Sequence, residues 1–306
     1  MQRSTINLVT FAIVCSLWLL AKCDAQPKNE VDCSQFVNDE DILRQLPFPL
    51  VDHSYEFSQN HSKVEMYENT SDVRGISIYK EKVVPSSIYC LSKLEKLEVY
   101  QTPFENDIVP DALGNLENLA QLIIFDVKIA KLTEKLATLR NMIMLTLIQC
   151  SLIYVPNLSN LQQLESLSLD KNNLSHVDGI TGVTDLMLEN NQFKQIPMTQ
   201  DPDRLMVLAM GDNPLTSAAP IMSYKNLEWI FLNNATITSI PATIDKLRNV
   251  EYLRLSNNKL TRLPTNILNL RRLKELTIEN NLIAKRDVES IRQSFKRSHP
   301  KLKLLS

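Results

Sequence analysis

The feature that most constrains this chain is the spacing Leu-x-x-Leu-x-Leu-x-x-Asn, which recurs about every 22 or 23 residues. Clear copies begin at Leu164, Val183, Val250 and Leu273. A repeat of this length forms one turn of chain that cannot bury its apolar residues alone and must stack on its neighbours. The pattern therefore predicts a solenoid whose successive turns share one continuous core.

Each repeat carries a Leu-x-Leu segment, which predicts a short strand with its leucines pointing inward and the alternating residues pointing outward. Parallel stacking of these strands predicts an α/β leucine-rich-repeat solenoid, a curved horseshoe with the sheet on its concave face. The apolar pairs that follow, often with Pro, predict short helical or 3₁₀ segments on the convex side. Ten repeats begin at Val73, Leu94, Leu119, Met142, Leu164, Val183, Leu205, Leu227, Val250 and Leu273.

The ninth position of each repeat is where the chain turns, and an Asn side chain there can hydrogen-bond to the backbone of adjacent turns. The last six repeats all hold Asn at this position except one, which holds Ala235. The first four hold Glu81, Thr102, Val127 and Cys150 instead. We therefore expect a regular C-terminal half and a looser strand register in the N-terminal half.

The repeat from Leu164 is the shortest and contains Gly179 and Gly182, so we expect an abbreviated convex segment there and a local change in curvature. A solenoid also needs both of its ends covered. Residues 26–72 are predicted to form an N-terminal cap, residues 73–283 the repeat array and residues 284–306 a C-terminal cap. The N-terminal cap has these apolar residues: Phe36, Ile42, Leu43, Leu46 and Phe48.

The C-terminal cap is predicted to begin with a helix from about Arg286 to Lys296, ended by Pro300. One face of that helix carries apolar residues, and two leucines then predict a final edge strand. These residues are Val288, Ile291 and Phe295 on the helix and Leu302 and Leu304 on the strand.

Residues 1–25 predict a secretory signal peptide, because Arg3 precedes an apolar run from Ile6 to Ala21 that is too short to span a bilayer comfortably. Cleavage after Ala25 is favoured over cleavage after Cys23, and an uncleaved anchor is the alternative. No second apolar segment follows, so we expect a secreted, extracellular protein without stable membrane insertion.

The cysteines outside the signal are Cys33, Cys90 and Cys150. Cys150 occupies a ninth position, where an inert buried thiol is expected. Cys33 and Cys90 then remain for a disulfide between cap and array, and an intermolecular bridge through either is the alternative. Each Asn-x-Ser/Thr glycosylation acceptor is a weak signal alone, but five of them behind a signal peptide are consistent with a secreted glycoprotein. They occur at Asn60, Asn69, Asn157, Asn173 and Asn234.

No catalytic arrangement is indicated, since His53, His61, His176 and His299 are scattered and none has metal-ligand or triad spacing. Five glycines are too few and too dispersed for a phosphate-binding loop. A formal net charge of −2 argues against nucleic acid as the main partner. We expect a non-enzymatic protein without cofactor or metal.

The third, fifth, seventh and eighth positions of each repeat should point outward and form the binding surface, since apolar side chains there cannot reach the core. The alternative is that some of them belong to misregistered repeats and are buried, above all Phe125. Repeats one to four present Tyr79, Tyr100, Ile123, Phe125, Met144 and Ile148. Repeats six to nine present Met187, Val207, Ala209, Trp229, Phe231 and Tyr252. We expect the aromatic residues to anchor a partner.

A basic group near the C-terminus could bind an anionic polysaccharide or a membrane surface, but interspersed acidic residues favour a solvated cap face. Its members are Arg271, Arg272, Lys274, Lys285, Arg286, Arg292, Lys296, Arg297, Lys301 and Lys303.

The stretches Leu-Arg-Leu-Ser-Asn-Asn-Lys-Leu-Thr-Arg-Leu-Pro at 253–264 and Leu-Thr-Ile-Glu-Asn-Asn-Leu-Ile at 276–283 resemble the secreted leucine-rich-repeat proteins of animals. Within that group the chain is most similar to the insect leucine-rich immune proteins. The resemblance implies binding of complement-like proteins and a role in defence against parasites and bacteria. Fuller members have a cysteine-rich junction and a C-terminal coiled coil; this chain resembles a short, coil-less type.

The leading hypothesis is therefore a secreted module that binds an extracellular protein ligand through its concave face, with a role in innate immunity and possible self-association. One alternative is a matrix or adhesion protein held by the basic C-terminal surface. Another is an intracellular repeat scaffold or phosphatase regulator, because the Ile-Pro-x-x-Ile-x-x-Leu convex pattern also occurs in cytosolic repeat proteins.

Overall fold

The computed structural model describes residues 31–52 and 61–306, so the predicted signal peptide and the acceptor Asn60 lie outside the described residues. One open sheet runs through both ranges, with its thirteen strands in chain order. Neighbouring strands are parallel except β2 and β3, which are antiparallel. The strands are β1 (Val51–Asp52), β2 (Lys63–Met66), β3 (Val73–Tyr79), β4 (Lys96–Tyr100), β5 (Gln121–Phe125), β6 (Met144–Ile148), β7 (Ser166–Ser168), β8 (Asp185–Met187), β9 (Val207–Ala209), β10 (Trp229–Phe231), β11 (Tyr252–Arg254), β12 (Glu275–Thr277) and β13 (Lys303–Leu305).

The core of the solenoid is filled by the first, fourth and sixth positions of all ten repeats. None of these side chains is more than 5% exposed, from Val73 in the first repeat to Leu273 in the last. Each inward leucine stacks on its equivalents in the turns before and after, so one apolar core extends the length of the array. The predicted leucine-rich-repeat solenoid and its ten repeat positions are confirmed.

The convex side carries short 3₁₀ helices, as the apolar spacing predicted. The repeats from Met142 and Leu164 have none, and the repeat from Leu164 is abbreviated, as expected. Gly179 makes this shortcut possible, since its φ is +71° and a Cβ there would lie 2.3 Å from Oδ1 of Asn157. The 3₁₀ helices between β3 and β12 include Ser86–Cys90, Asp111–Asn115, Glu134–Thr138, Ala219–Ser223, Ile244–Lys246 and Thr265–Asn269.

Strand length divides the array into two halves. Strands β3 to β6 have five to seven residues, whereas β7 to β12 have three each. In the first half, pairing continues to the seventh position, where Tyr79, Tyr100, Phe125 and Ile148 lie in register. The expectation of a looser register in this half is therefore wrong. Continued backbone pairing, rather than an Asn side chain, satisfies the strand ends there.

The Asn residues of the second half form the expected ladder. Asn191, for example, is buried, and its Nδ2 donates to the carbonyl oxygens of Leu169, Leu188 and Glu189 at 2.9, 3.3 and 3.2 Å. Its Oδ1 accepts from the backbone N–H of Leu174 at 2.9 Å. Asn172, Asn213, Asn258 and Asn281 make equivalent contacts.

Two residues replace this ladder in the first half. The Thr102 hydroxyl donates to the Tyr100 carbonyl at 3.1 Å and accepts from the backbone N–H of Glu81 at 3.0 Å. The buried Cys150 thiol donates to the carbonyls of Ile124 and Ile148 at 3.5 and 3.3 Å. Burial raises the pKa of this thiol to about 12, so it stays protonated and inert.

The N-terminal cap contains helix α1 (Asp39–Arg44), whose first turn is capped by the Asn38 side chain. The Oδ2 atom of Asp39 accepts from the backbone N–H of Val73 at 2.7 Å, which joins the cap to the first repeat. Cap residues Ile42, Leu46 and Phe48 are buried against the array, with Phe36 and Leu43 packed partly buried beside them.

The C-terminal cap is formed by helix α2 (Lys285–Ser298) and strand β13. Phe295 is buried, and Ile291, Leu302 and Leu304 pack partly buried against the core. Strand β13 pairs in parallel with β12 and covers the last repeat. The predicted helix and edge strand are present, with the helix one residue longer at its start and two at its end than the sequence indicated.

Candidate functional site

The outward face of the sheet holds two groups of aromatic side chains. Tyr79, Tyr100 and Phe125 occupy the seventh positions of the first three repeats and form the N-terminal aromatic row. Strand register places each ring beside the next, with centroids 6.3 and 6.5 Å apart. Phe125 is half-buried and points outward, so the alternative of a misregistered core residue is wrong for it. Half-buried Ile123, Met144 and Ile148 extend the row on β5 and β6.

Charged groups border the N-terminal aromatic row. The Lys80 ammonium lies 5.0 Å from the centroid of the Tyr79 ring, within range of a cation–π contact. Glu98 pairs with the Lys96 ammonium at 2.9 Å and also accepts from the Ser77 hydroxyl. Burial, followed by the negative charge of Glu98, raises the pKa of Tyr100 to about 12. The Tyr100 hydroxyl therefore stays a neutral hydrogen-bonding group at physiological pH.

Trp229, Phe231 and Tyr252 form the C-terminal aromatic cluster, on the third and fifth positions of repeats eight and nine. The Trp229 and Tyr252 rings meet edge to face with centroids 5.1 Å apart, and Trp229 and Phe231 are 6.1 Å apart. The guanidinium of Arg254 stacks over Phe231 at 4.5 Å. Trp229 is 42% exposed although it lies at the middle of the cluster. The cluster is thus preorganised by ring contacts and still open to solvent.

The sheet face between these groups is partly apolar and partly acidic. Met187 and Val207 are half-buried on β8 and β9, as expected of outward residues. Ala209 is only 5% exposed, because its short side chain lies in register between Met187 and Phe231. It contributes little surface to the expected patch. Asp170 and Glu189 follow at the seventh positions of repeats five and six.

The eighth position of every repeat adopts a left-handed backbone conformation, with φ from 49° to 58°. The chain leaves the sheet there, so eighth-position side chains lie at the rim and do not continue the outward face. Sequence reasoning counted them with the face. A signal was available in the last five repeats, which all hold Asn or Asp, the residues that tolerate this conformation best. They are Asn190, Asp212, Asn234, Asn257 and Asn280.

Cys33 and Cys90 form a disulfide with their Cα atoms 5.4 Å apart, which joins the cap to the convex segment of the first repeat. Four of the five glycosylation acceptors fall in the described residues, and all four have exposed side chains: Asn69, Asn157, Asn173 and Asn234. Asn234 is the one at the rim of the sheet, three residues after Phe231 in the same repeat.

The described residues bring no catalytic or metal-binding group together. His61 and His176 are exposed. The Nε2 atom of His299 lies 2.9 Å from the Leu270 carbonyl, a contact within the C-terminal cap. No set of three or more His, Cys, Asp or Glu side chains in residues 31–52 and 61–306 could hold a metal ion. Neither helix of those ranges has the length and hydrophobicity needed to cross a bilayer.

The basic C-terminal group divides by ion pairing. Lys274, Arg286, Arg292 and Lys303 pair with Glu251, Asp287, Glu289 and Glu275, in that order. The others are exposed and have no carboxylate within 4.0 Å among the described residues. This second set consists of Arg271, Arg272, Lys285, Lys296, Arg297 and Lys301.

A family profile described as "Leucine rich repeat" matches residues 203–260 of the chain. No curated protein matches it. Among solved structures, an internalin (inlF) from Listeria monocytogenes is 21% identical with a TM-score of 0.52, over 76% of this chain and 79% of that one.

Two plant receptors are also similar. The ectodomain of the membrane receptor kinase GASSHO1/SCHENGEN3 from Arabidopsis thaliana, solved with CASPARIAN STRIP INTEGRITY FACTOR 2, is 22% identical over 75% of this chain, with a TM-score of 0.56. The peptide hormone receptor RGFR1, solved with RGF2, is 20% identical over 72% of this chain, with a TM-score of 0.55. This chain covers 31% and 40% of their lengths. At these identities the comparisons show the fold, which is a leucine-rich-repeat solenoid.

Proposed function

We propose that this protein is a secreted, non-enzymatic binding module that recognises a protein partner through the outward face of its sheet. The observation that carries this proposal is the C-terminal aromatic cluster. The Trp229 ring contacts both Phe231 and Tyr252 on regular three-residue strands, yet Trp229 remains 42% exposed. A preorganised aromatic group on a rigid sheet loses little conformational entropy on binding, so it is well suited to anchor a partner.

Folding does not account for these exposed rings. The core is filled by the inward positions of the same strands, such as Ile230 and Leu253, which are fully buried. A polar residue at an outward position would leave that core intact. Retaining tryptophan, phenylalanine and tyrosine there leaves apolar surface in water, which a binding function explains.

Secretion is supported by three features of different kinds. The sequence begins with a signal-peptide pattern, Cys33 and Cys90 are joined as expected in an oxidising compartment, and four glycosylation acceptors are exposed. A role in innate immunity is supported by the resemblance to the insect leucine-rich immune proteins. The two plant receptors provide the precedent that this fold accommodates a bound ligand.

Adhesion to an anionic polysaccharide is the second candidate, and the unpaired basic residues of the C-terminal cap favour it. Lys296 and Arg297 at the end of helix α2 are exposed and have no described carboxylate partner within 4.0 Å. Heparin retention that survives physiological salt, and is lost in the Lys296→Ala/Arg297→Ala variant, would establish this function. Elution at low salt would exclude it.

The test of the proposed function replaces Trp229 by alanine. Immobilised wild-type protein should capture a partner from native extracellular fluid. Trp229→Ala should bind that partner with an affinity lower by at least about tenfold. Tyr154→Ala is the matched control, because Tyr154 is 46% exposed and lies in a loop outside the sheet. Both variants should unfold at nearly the wild-type temperature. Equal capture by Trp229→Ala and wild type would contradict the proposal.

A further inference from the structure

Three acidic side chains at the centre of the sheet face have no cationic partner. Asp170 and Glu189 occupy seventh positions, and Asp212 lies at the rim of the next repeat. Among the described residues, no lysine, arginine or histidine nitrogen lies within 4.0 Å of any of these carboxylates. Asp170 is held in place by the backbone N–H of Glu189, which donates to its Oδ1 at 2.7 Å. These three residues are called the central acids.

Two other carboxylates on the sheet face have cationic partners. Glu98 pairs with Lys96 at 2.9 Å in the N-terminal half. Glu275 pairs with both Arg254 and Lys303, at 3.0 and 2.9 Å, in the last repeat. Asp185 and Glu279 also have no cation within 4.0 Å among the described residues, so what distinguishes the central acids is their position on three consecutive repeats.

Lys171 and Arg254 act on Asp170 and Glu189 only from a distance, since neither forms an ion pair with these carboxylates. Arg254 stacks on Phe231 and is drawn towards the last repeat by its Nε contact with Glu275. Its charge reaches Glu189 only through space, and burial together with the charges of Asp170 and Asp212 still raises the pKa of Glu189. Three negative charges thus lie on repeats five to seven, and the C-terminal aromatic cluster lies on repeats eight and nine of the same sheet face.

We propose that repeats five to nine bind an extended peptide segment of the protein partner, which places a lysine or arginine among the central acids and an apolar side chain against the C-terminal aromatic cluster. This inference rests on the proposed function and specifies its partner. A bound cation relieves the repulsion among the three carboxylates, and the accompanying apolar contact excludes water and so strengthens the charge interaction.

The sheet fixes the spacing between the two anchor points. Asp185, four residues before Glu189, is in register with Val207 and Trp229. Glu189 is therefore two strands and four residues away from Trp229. With strands about 4.8 Å apart and a rise of about 3.3 Å per residue, the separation is about 16 Å, or about five residues of extended peptide. The basic and apolar side chains should have about four residues between them.

The test uses fluorescein-labelled synthetic peptides with one arginine and one tryptophan in a Gly/Ser background, separated by no residues up to about eight. Fluorescence polarisation with the full chain should show a binding maximum at about four intervening residues, at a Kd below about 1 mM. Replacing the peptide arginine by glutamate should abolish binding. Glu189→Gln and Asp212→Asn should each weaken the best peptide by about fivefold. Glu98→Gln is the matched control and should leave it unchanged.

The outcomes separate this inference from the proposed function. Equal binding of the arginine and glutamate peptides, with Trp229→Ala still defective in partner capture, would overturn the charge inference alone. Failure of every peptide at about 1 mM would also overturn it. If sedimentation shows a dimer that Glu189→Gln dissociates, the basic cap of a second copy occupies the site, and the peptide proposal is wrong. If Trp229→Ala captured the partner as well as the wild type does, both the proposed function and this inference would be wrong.

Discussion

The two halves of the array close their turns by different means, and this difference determines where each presents its apolar side chains. In repeats one to four, backbone pairing continues to the seventh position, so the aromatic row is built on the strand ends. In repeats five to ten, the strands stop at the fifth position, and an Asn side chain closes the turn in every repeat except the eighth, which has Ala235. The C-terminal aromatic cluster accordingly lies on third and fifth positions.

Charge follows the same division. The seventh position, freed from strand pairing in the second half, holds Asp170 and Glu189, whereas the first half holds Tyr79, Tyr100, Phe125 and Ile148 there. An apolar residue at a strand end is partly covered by its in-register neighbours. An acidic residue on a short strand reaches solvent at the edge of the turn. One repeat motif thus supplies two chemically different surfaces.

The largest expected effect comes from the disulfide, which stabilises only the first half directly. Replacing Cys33 and Cys90 together by serine releases a loop closed over a separation of 57 residues. The chain-entropy relation then predicts a loss of about 4 kcal/mol in unfolding free energy. Hydrogen exchange should locate the loss in the cap and first repeats. A uniform loss of protection against hydrogen exchange across the array would contradict the claim that the disulfide directly stabilises only the first half.

The second effect tests the Asn ladder. Asn191→Ala removes four hydrogen bonds and leaves buried backbone groups unpaired, so we expect a loss of about 3 kcal/mol in denaturant unfolding. Thr102→Val, at the equivalent position in the first half, should cost about 1 kcal/mol because fewer bonds are lost. Equal losses of unfolding free energy for Asn191→Ala and Thr102→Val would contradict the claim that the two halves close their turns by different means.

The smallest effect concerns two glutamates with opposite pKa shifts. Burial and the neighbouring acids raise the pKa of Glu189, so ionisation destabilises the folded state, and stability rises as the pH falls through this pKa. Lys303 and then Arg254 lower the pKa of Glu275, although burial opposes them, so its stabilisation is lost as the pH falls through that lowered pKa.

At neutral pH, Glu189→Gln should therefore raise the thermal midpoint slightly, and Glu275→Gln should lower it. Both differences should shrink when the wild-type side chain becomes protonated in acid. Thermal unfolding followed by circular dichroism over a range of pH measures this. A lower midpoint for Glu189→Gln at neutral pH would show that the charge of Glu189 stabilises the folded protein. It would then contradict the claim that the central acids lack a cationic partner.

Much of this fold follows from the sequence, because the apolar period fixes which side chains face the core. All thirty inward positions were assigned correctly on that basis, from Val73 to Ile278. The register of the first half was wrongly expected to be loose, since the motif shows only the missing Asn and not the backbone pairing that replaces it. The left-handed eighth positions are signalled only by Asn or Asp in the last five repeats. The grouping of the central acids depends on side chains of neighbouring repeats, which no single repeat reveals.

The central claim is that a partner contacts the sheet face at the C-terminal aromatic cluster. A photo-crosslinking amino acid placed at Tyr252, on that cluster, tests it most directly when compared with the same group at Tyr154, which is exposed outside the sheet. With the captured partner present, irradiation should yield a covalent adduct from position 252 and none from position 154. An adduct from position 154 alone would contradict the account.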